Sequence, residues 1–303
     1  MFHDVDAGRA STNVTENRLL TSISTFSLFP LPLRAALPLI ASAGLDGIEL
    51  MAPPVVRAGT TDRLGRLVRS HGLRILTVHQ TLFSYGPLLS LNRRAADAVA
   101  LATGLGAPCV VLHSPHVPDW SHPQAQSWLD TMQRLQEQAA AAGCVIGLEN
   151  VDLNPRHDTP VVLDRMEDLA AFATQRNLGI TLDTCHAMRN GTDLMSAYET
   201  IRQRMVNVHL SDWRHLGAGE RSLLRRTLLA NHRLPGQGQA PLTPLLAHLA
   251  ADGYAGPVTI EVNPWLLRTW SPGRCRRILA QVVAYIRQAE AAYGPASAAE
   301  ARA

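Results

Sequence analysis

Along most of the chain, short runs of β-branched and apolar residues alternate with longer Ala/Leu/Arg-rich stretches whose apolar positions recur at helical spacing. The short runs are Ile23–Leu28, Gly47–Leu50, Arg74–His79, Cys109–His113, Val145–Glu149, Leu178–Asp183, Val206–Leu210 and Val258–Val262. Helical spacing marks Leu31–Ala43, Asp62–His71, Arg93–Leu105, Ala125–Ala142, Leu163–Arg176 and Arg276–Ala291. Glycines 44, 72, 106, 143 and 253 stand just ahead of strands, where a left-handed residue ends a helix. Strands alternating with helices of this length imply βαβ units and a parallel sheet. Eight strands, with no GxGxxG after the first, predict a closed (β/α)8 barrel over an open dinucleotide-binding sheet.

The seventh unit is longer than the others. Trp213–Gln239, rich in Arg and Gly, is predicted to be an insertion in the seventh βα loop, lying over the mouth of the barrel. The expected layout is one barrel domain over residues 21–291, between mobile ends at 1–20 and 292–303.

A chain of 303 residues with 46% apolar content can bury one barrel-sized core. A net charge of +3 gives no mandate for nucleic acid or membrane surfaces, and no apolar run approaches a membrane span. The polar stretch Met1–Asn17 lacks the apolar core of a signal peptide, and the four cysteines have no CxxC spacing, so a cytoplasmic enzyme is expected. Cys109 and Cys144 read as buried small hydrophobes. All 28 basic residues are arginine, which excludes Schiff-base aldolases, pyridoxal phosphate enzymes and Walker-A hydrolases, since each needs a lysine amine.

Polar residues sit where the strands stop. Strands two to eight end at Glu49, His79, His113, Glu149, Asp183, His209 and Glu261. In a parallel barrel these ends share one rim, so the side chains converge. Crowded carboxylates repel unless a cation neutralises them. Glu149, Asp183, His209 and Glu261 are the predicted ligands of one divalent metal. A hard, oxygen-rich set with one imidazole suits Mn²⁺, Mg²⁺ or Co²⁺, with Zn²⁺ or Fe²⁺ as further options. His186 and His232 lie in the loops after strands six and seven.

These residues carry a resemblance. The stretches GLDGIEL (44–50), VVLHSP (110–115), GLEN (147–150), LDTCHAMRNG (182–191), VHLSD (208–212), HRLPGQGQAPL (232–242) and DGYAGPVTIEVNP (252–264) together resemble the xylose-isomerase-like TIM-barrel superfamily over residues 20–290. That superfamily joins sugar and sugar phosphate isomerases and epimerases to the endonuclease IV family. The resemblance implies that Glu149, Asp183, His209 and Glu261 hold the metal. It also implies that Glu149 and Glu261 move protons as the catalytic pair, and that His186 contacts substrate. His79, His113, His232 and Arg214 are further candidate substrate contacts, and Arg233 could join them. The implied reaction is metal-assisted proton abstraction next to the carbonyl of a sugar, sugar phosphate or polyol. The partner is then a small carbohydrate-like molecule, and the chain itself a homo-oligomer.

A rival reading shares the same residues. His79, His113, Glu149, Asp183, His186, His209, His232 and Glu261 also match ligand positions of endonuclease IV, which would imply two or three Zn²⁺ and phosphodiester hydrolysis, with nucleic acid as a partner. Against it, Ala230 stands where that family has an aspartate ligand, HSP replaces its HPG after strand four, and DGIEL is typical of the sugar branch. A dehydratase or lyase on a related polyol or keto-acid is the third reading, and a non-catalytic ligand-binding barrel the fourth.

Other residues have bland readings. Glu49 is expected to be structural, pairing an arginine, and Cys185 to be a packed thiol rather than a nucleophile. Arg214, Arg221, Arg225, Arg226 and Arg233 could clamp an anion or form a solvated face. Phe83, Tyr85, Trp120, Trp213 and Trp265 could stack on sugar faces or wall a pocket at the rim, though each singly reads as packing, and Leu82 with Phe83 stands where DNA-cleaving relatives place a wedge.

Overall fold

Near-continuous apolar strand runs require cover on both faces, and the structure supplies it. The computed structural model describes residues 18–53, 59–81, 90–152, 160–217, 222, 225 and 229–292. Eight parallel strands close into a barrel in sequence order: β1 Leu20–Ser24, β2 Gly47–Met51, β3 Arg74–His79, β4 Cys109–Leu112, β5 Val145–Glu149, β6 Gly179–Asp183, β7 Met205–Leu210 and β8 Pro257–Ile260. The closing pair runs from Leu20↔Pro257 to Ile23↔Ile260. Every residue of β4, β6 and β8 is buried.

The surrounding helices are α1 Leu33–Ser42, α2 Thr60–Arg69, α3 Leu91–Leu105, α4 Pro123–Ala141, α5 Met166–Gln175, α6 Thr184–Arg189, α7 Leu194–Ile201, α8 Leu242–Ala251, α9 Pro264–Leu267 and α10 Pro272–Ala291. Each longer helix buries one stripe. In α10 it is Cys275, Leu279, Val282, Ile286 and Ala289. Gly106 ends α3 at φ 65°, and its N–H reaches back to the carbonyls of Ala102 and Thr103. Among the described residues no helix is long and apolar enough to cross a membrane.

Most strand boundaries lie within a residue or two of the sequence reading, and the larger differences fall at the first and last strands. The first strand begins at Leu20 and stops at Ser24, and Thr25–Leu28 forms a 3₁₀ turn. Period alone does not separate a short apolar strand from a buried turn. Here Thr25 Oγ1 accepts the Met51 N–H and Ser27 Oγ accepts the Val262 N–H, so the turn is pinned between the ends of β2 and β8. β8 ends at Ile260, which leaves Glu261 one residue past it. The segment from 213 to 239 is tied to the barrel through Asp212. Its backbone pairs with Arg233, and its carboxylate accepts the N–H groups of Trp213, Gly238 and Ala240 at 2.8, 2.8 and 3.0 Å. Residues Arg221 and Arg226 of that segment lie outside the described residues, as do Leu82, Phe83 and Tyr85.

Candidate metal centre

Strand order brings four side chains from adjacent barrel staves to one place. Glu149 ends β5, Asp183 ends β6, His209 lies in β7 and Glu261 follows β8. One ligand atom from each lies within 4.8 Å of all the others. His209 Nδ1 is the geometric centre of the group, 2.9 Å from Glu261 Oε2, 3.3 Å from Glu149 Oε1 and 3.9 Å from Asp183 Oδ2.

The barrel interior below this group is polar, and it orients the histidine. Ser22 Oγ donates to Thr259 Oγ1 at 2.6 Å, and Thr259 Oγ1 donates to Asn207 Oδ1 at 2.8 Å. Asn207 Nδ2 then donates to Glu49 Oε2 at 3.3 Å, and Thr77 Oγ1 donates to the same oxygen at 2.9 Å. His209 Nε2 completes the set at 2.9 Å. Glu49 therefore pairs with His209, and not with the arginine expected from sequence. A carboxylate on Nε2 fixes the tautomer that leaves Nδ1 facing the three candidate ligands.

A second clamp joins β5 to β6. Asn150 Oδ1 accepts the Asp183 N–H at 2.6 Å, and its Nδ2 donates to the Asp183 carbonyl at 3.1 Å. Asp183 also caps α6, with Oδ1 accepting the His186 N–H at 2.7 Å. Its other oxygen, Oδ2, is buried with no hydrogen-bond partner. An orphaned carboxylate oxygen costs free energy in a protein interior unless a cation meets it.

Charge tells the same story. Burial raises the Asp183 carboxyl above the usual aspartate range, because His186 and His232 offset it only in part. Burial acts the same way on Glu149 but loses to His113 and His209, which hold it well below the glutamate range. Glu261 is held low against burial by His209. Burial would lower His209, yet the charges of Glu261, Glu49 and Glu149 hold it well above the ordinary imidazole range. In this arrangement a proton on His209 stands where a cation fits. The donor set of three carboxylates and one imidazole, with one oxygen unpaired, fits a divalent metal.

Four further histidines form two flanks. On one, His113 Nε2 lies 2.8 Å and His79 Nε2 3.2 Å from Glu149 Oε2, with His79 Nδ1 fixed on the Gln80 carbonyl at 2.5 Å. On the other, His186 Nδ1 lies 3.3 Å from Glu149 Oε1 and 3.2 Å from the Asn150 carbonyl, and Asp183, His186 and His232 form a further three-residue group within 4.8 Å. Against burial, the charges of Asp183, Glu149 and Asp152 push the His186 imidazole up to about 9. His232 adopts a left-handed backbone at φ 45°, held by its N–H on Cys185 Sγ at 3.3 Å and by the Asn263 N–H on its carbonyl at 2.8 Å.

The centre opens into a cleft of about 1020 Å³. Among the described residues, His79, His113, Glu149, His186, His232 and Glu261 line its floor, and Asn150 is a floor residue that the motif reading passed over. Arg214 stands elsewhere: it is exposed, bonded through its backbone to Ala230, and absent from the described lining. Arg233 is engaged with the carbonyls of Leu229 and Gln237. Of the expected rim aromatics, Trp265 lines the cleft, while Trp120 stacks on Phe172 at 5.2 Å and Trp213 lies beside His215. All four cysteines are free and buried, and burial pushes the Cys185 thiol well up, which suits a packed thiol.

The chain is similar to known proteins in sequence and in fold. An uncharacterized protein of Mycobacterium tuberculosis is 27% identical over 265 residues, covering 80% of this chain and 88% of its own. A 3-dehydroshikimate dehydratase of Pseudomonas aeruginosa is 29% identical over 254 residues, which span 81% of this chain but 38% of that longer protein. The D-psicose 3-epimerase of Clostridium cellulolyticum H10, solved with D-tagatose, superposes with a TM-score of 0.66 at 17% identity, over 90% of this chain and 99% of the epimerase. The family described as xylose isomerase-like TIM barrel matches residues 37–273, and the chain belongs to that family.

Proposed function

We propose that the chain is a divalent-metal-dependent isomerase or epimerase of a sugar, sugar phosphate or polyol, acting by proton transfer at the carbon beside a carbonyl. The observation that carries this reading is the convergence of Glu149 Oε1 and Glu261 Oε2 on His209 Nδ1, at 3.3 and 2.9 Å, on the floor of an open cleft. Glu149, Asp183, His209 and Glu261 would hold the ion, and the ion would supply the positive charge that acidifies the C–H bond next to the carbonyl. Both glutamates are held below their ordinary range, so each is a carboxylate at neutral pH. His79 and His113 steady Glu149 from one side and His186 from the other, which keeps the carboxylate aimed while it takes and returns a proton. His113 and His186 also reach the cleft as donors for substrate oxygens. Activity on a ketohexose by a fold neighbour agrees with this chemistry.

A dehydratase is the second reading, favoured by the 29% identity to the Pseudomonas aeruginosa dehydratase. It shares the proton abstraction and then expels a β-hydroxyl. His186, which lines the cleft beside Glu149, is the group placed to hand that hydroxyl a proton.

The test is exchange in D₂O. With a panel of ketoses and keto-acids, isomerase chemistry places one deuterium at the carbon beside the carbonyl, and dehydration adds an ultraviolet-absorbing conjugated product. Glu149→Gln and Glu261→Gln should each abolish exchange. Elemental analysis should give about one metal per chain. Two or three zinc ions with cleavage of bis(p-nitrophenyl) phosphate would move the reading to a hydrolase built on the Asp183–His186–His232 group.

A further inference from the structure

One wall of the cleft is aromatic and uncovered. Phe29 and Trp265 are each 64% exposed and Trp270 is 54% exposed. The three side chains are not scattered, because all of them line the cleft, together with Phe26 and Pro30. A cluster of large apolar side chains left in water beside a polar floor marks a binding surface.

This lip is built rather than loose. It joins the turn after β1 to the chain after β8, and Thr269 Oγ1 donates to the Phe29 carbonyl at 3.1 Å to tie the two. Asn263 Oδ1 accepts the Trp265 N–H at 3.1 Å and so caps α9. Leu267 is fully buried and anchors that helix. Arg268 then turns the chain through a left-handed conformation at φ 55°, ψ 46°, which brings Trp270 back against Trp265. The two indoles meet with centroids 5.1 Å apart and planes at 59°, and the Arg268 guanidinium lies 5.6 Å over the Trp270 ring.

The chemistry of the lip selects its occupant. The Thr269 hydroxyl and the Asn263 carbonyl oxygen already serve the protein's own backbone, as their bonds to Phe29 and Trp265 show. A second sugar ring would need hydrogen-bond partners there, whereas a flat apolar group needs only ring faces. The volume of about 1020 Å³ lies at the upper end of the roughly 300–1,000 Å³ typical of pockets that enclose drug-sized ligands.

We propose that the lip of Phe29, Trp265 and Trp270 binds a flat apolar group carried by the substrate. The substrate class is then an oxygenated, metal-chelating head bearing an aryl or similarly flat substituent, and not a bare monosaccharide. The head's role in this inference rests on the metal-dependent reading above; the lip's role does not.

Hydroxamates separate the two ends, because they chelate divalent metals and accept any tail. In calorimetry on Mn²⁺-loaded protein, 3-phenylpropionohydroxamate should bind about ten-fold tighter than acetohydroxamate. Trp265→Ala and Trp270→Ala should each erase most of that advantage and leave acetohydroxamate affinity unchanged. In metal-free protein, 2-naphthol should quench tryptophan fluorescence saturably, and the double variant should lose the effect. Equal affinity of the two hydroxamates, or an advantage that survives both substitutions, overturns the lip and spares the metal centre. Saturable 2-naphthol quenching with no hydroxamate binding overturns the metal centre and spares the lip. A dimer that dissociates in Trp265→Ala, seen by light scattering, would make the lip an interface between copies and overturn the proposal.

Discussion

Glu49 Oε2 lies 2.9 Å from Nε2 of His209, and neither side chain has any exposure to solvent. The pair links β2 to β7 across the barrel interior, and it settles which nitrogen of His209 faces the cleft. A carboxylate behind a ligating imidazole raises its basicity and fixes its ring. Glu49→Gln keeps the shape and removes the charge. The expected outcome is a metal affinity lower by about 10–100-fold, with an unchanged circular dichroism spectrum, measured by competition with a chromogenic chelator. Unchanged affinity would reduce Glu49 to a filler of the barrel.

That pairing also shows where the sequence stops being readable. β3 and β5 have the bounds that patterning predicts, since each is a β-branched run closed by a polar residue and followed by a loop. The convergence of Glu149, Asp183, His209 and Glu261 follows from parallel topology alone, because strand ends share a rim. Glu49 also stands near a strand end, but periodicity does not say that its side chain turns inward to His209. Nor does it reveal the chain of Ser22, Thr259 and Asn207 below, because single polar residues inside apolar strands carry no spacing signal. The aromatic lip was only partly legible. Trp265 was visible as a rim residue, whereas Phe29 lies just past the run Ile23–Leu28, which reads as strand but ends in a turn that Phe29 closes. Trp270 reaches the lip only because Arg268 takes a left-handed conformation, which arginine seldom does.

Asp183 carries an unpaired buried oxygen, so a bound cation should stabilise the fold as well as complete the site. Binding to the native state alone contributes about 2.7 kcal/mol at a metal concentration of 100 Kd. For a barrel of this size that corresponds to a rise in Tm of roughly 5 °C. Protein stripped with a chelator and reloaded with Mn²⁺ or Zn²⁺ should show the rise by calorimetry, and Asp183→Asn should abolish it. A stripped protein that melts at the same temperature with and without metal would count against the site.

Gly47 begins β2 and pairs with Arg74 of β3. A Cβ placed there would stand 2.4 Å from the Arg74 carbonyl oxygen and 2.8 Å from Leu76 Cγ. The oxygen belongs to the ladder that pairs Gly47 with Arg74, so it cannot withdraw without opening the sheet. Gly47→Ala should therefore destabilise the protein by about 1–3 kcal/mol, seen as a lower urea midpoint at unchanged slope. A neutral result would mean that β2 and β3 separate there without cost.

Asp46, at the foot of the barrel, ties β1 to β2. Its Oδ2 accepts the Thr21 N–H at 2.8 Å and the Thr21 hydroxyl at 2.9 Å, and its Oδ1 bonds the Arg18 guanidinium. Burial acts to raise its pKa, but the Thr21 bonds and the Arg18 charge outweigh burial and hold the carboxyl below the usual aspartate value. A folded pKa below the unfolded one, about 3.9, means that the native state favours the ionised form. The resulting stability is fully present above about pH 4 and is lost as pH falls through the folded pKa. Asp46→Asn should thus cost about 1–2 kcal/mol at pH 7, discounted for the exposed Arg18 partner, and progressively less below pH 4. Urea denaturation of both proteins at pH 7 and pH 3.5 measures the difference directly. A gap of the same size at both values would assign the effect to shape at Asp46 and remove charge from the account.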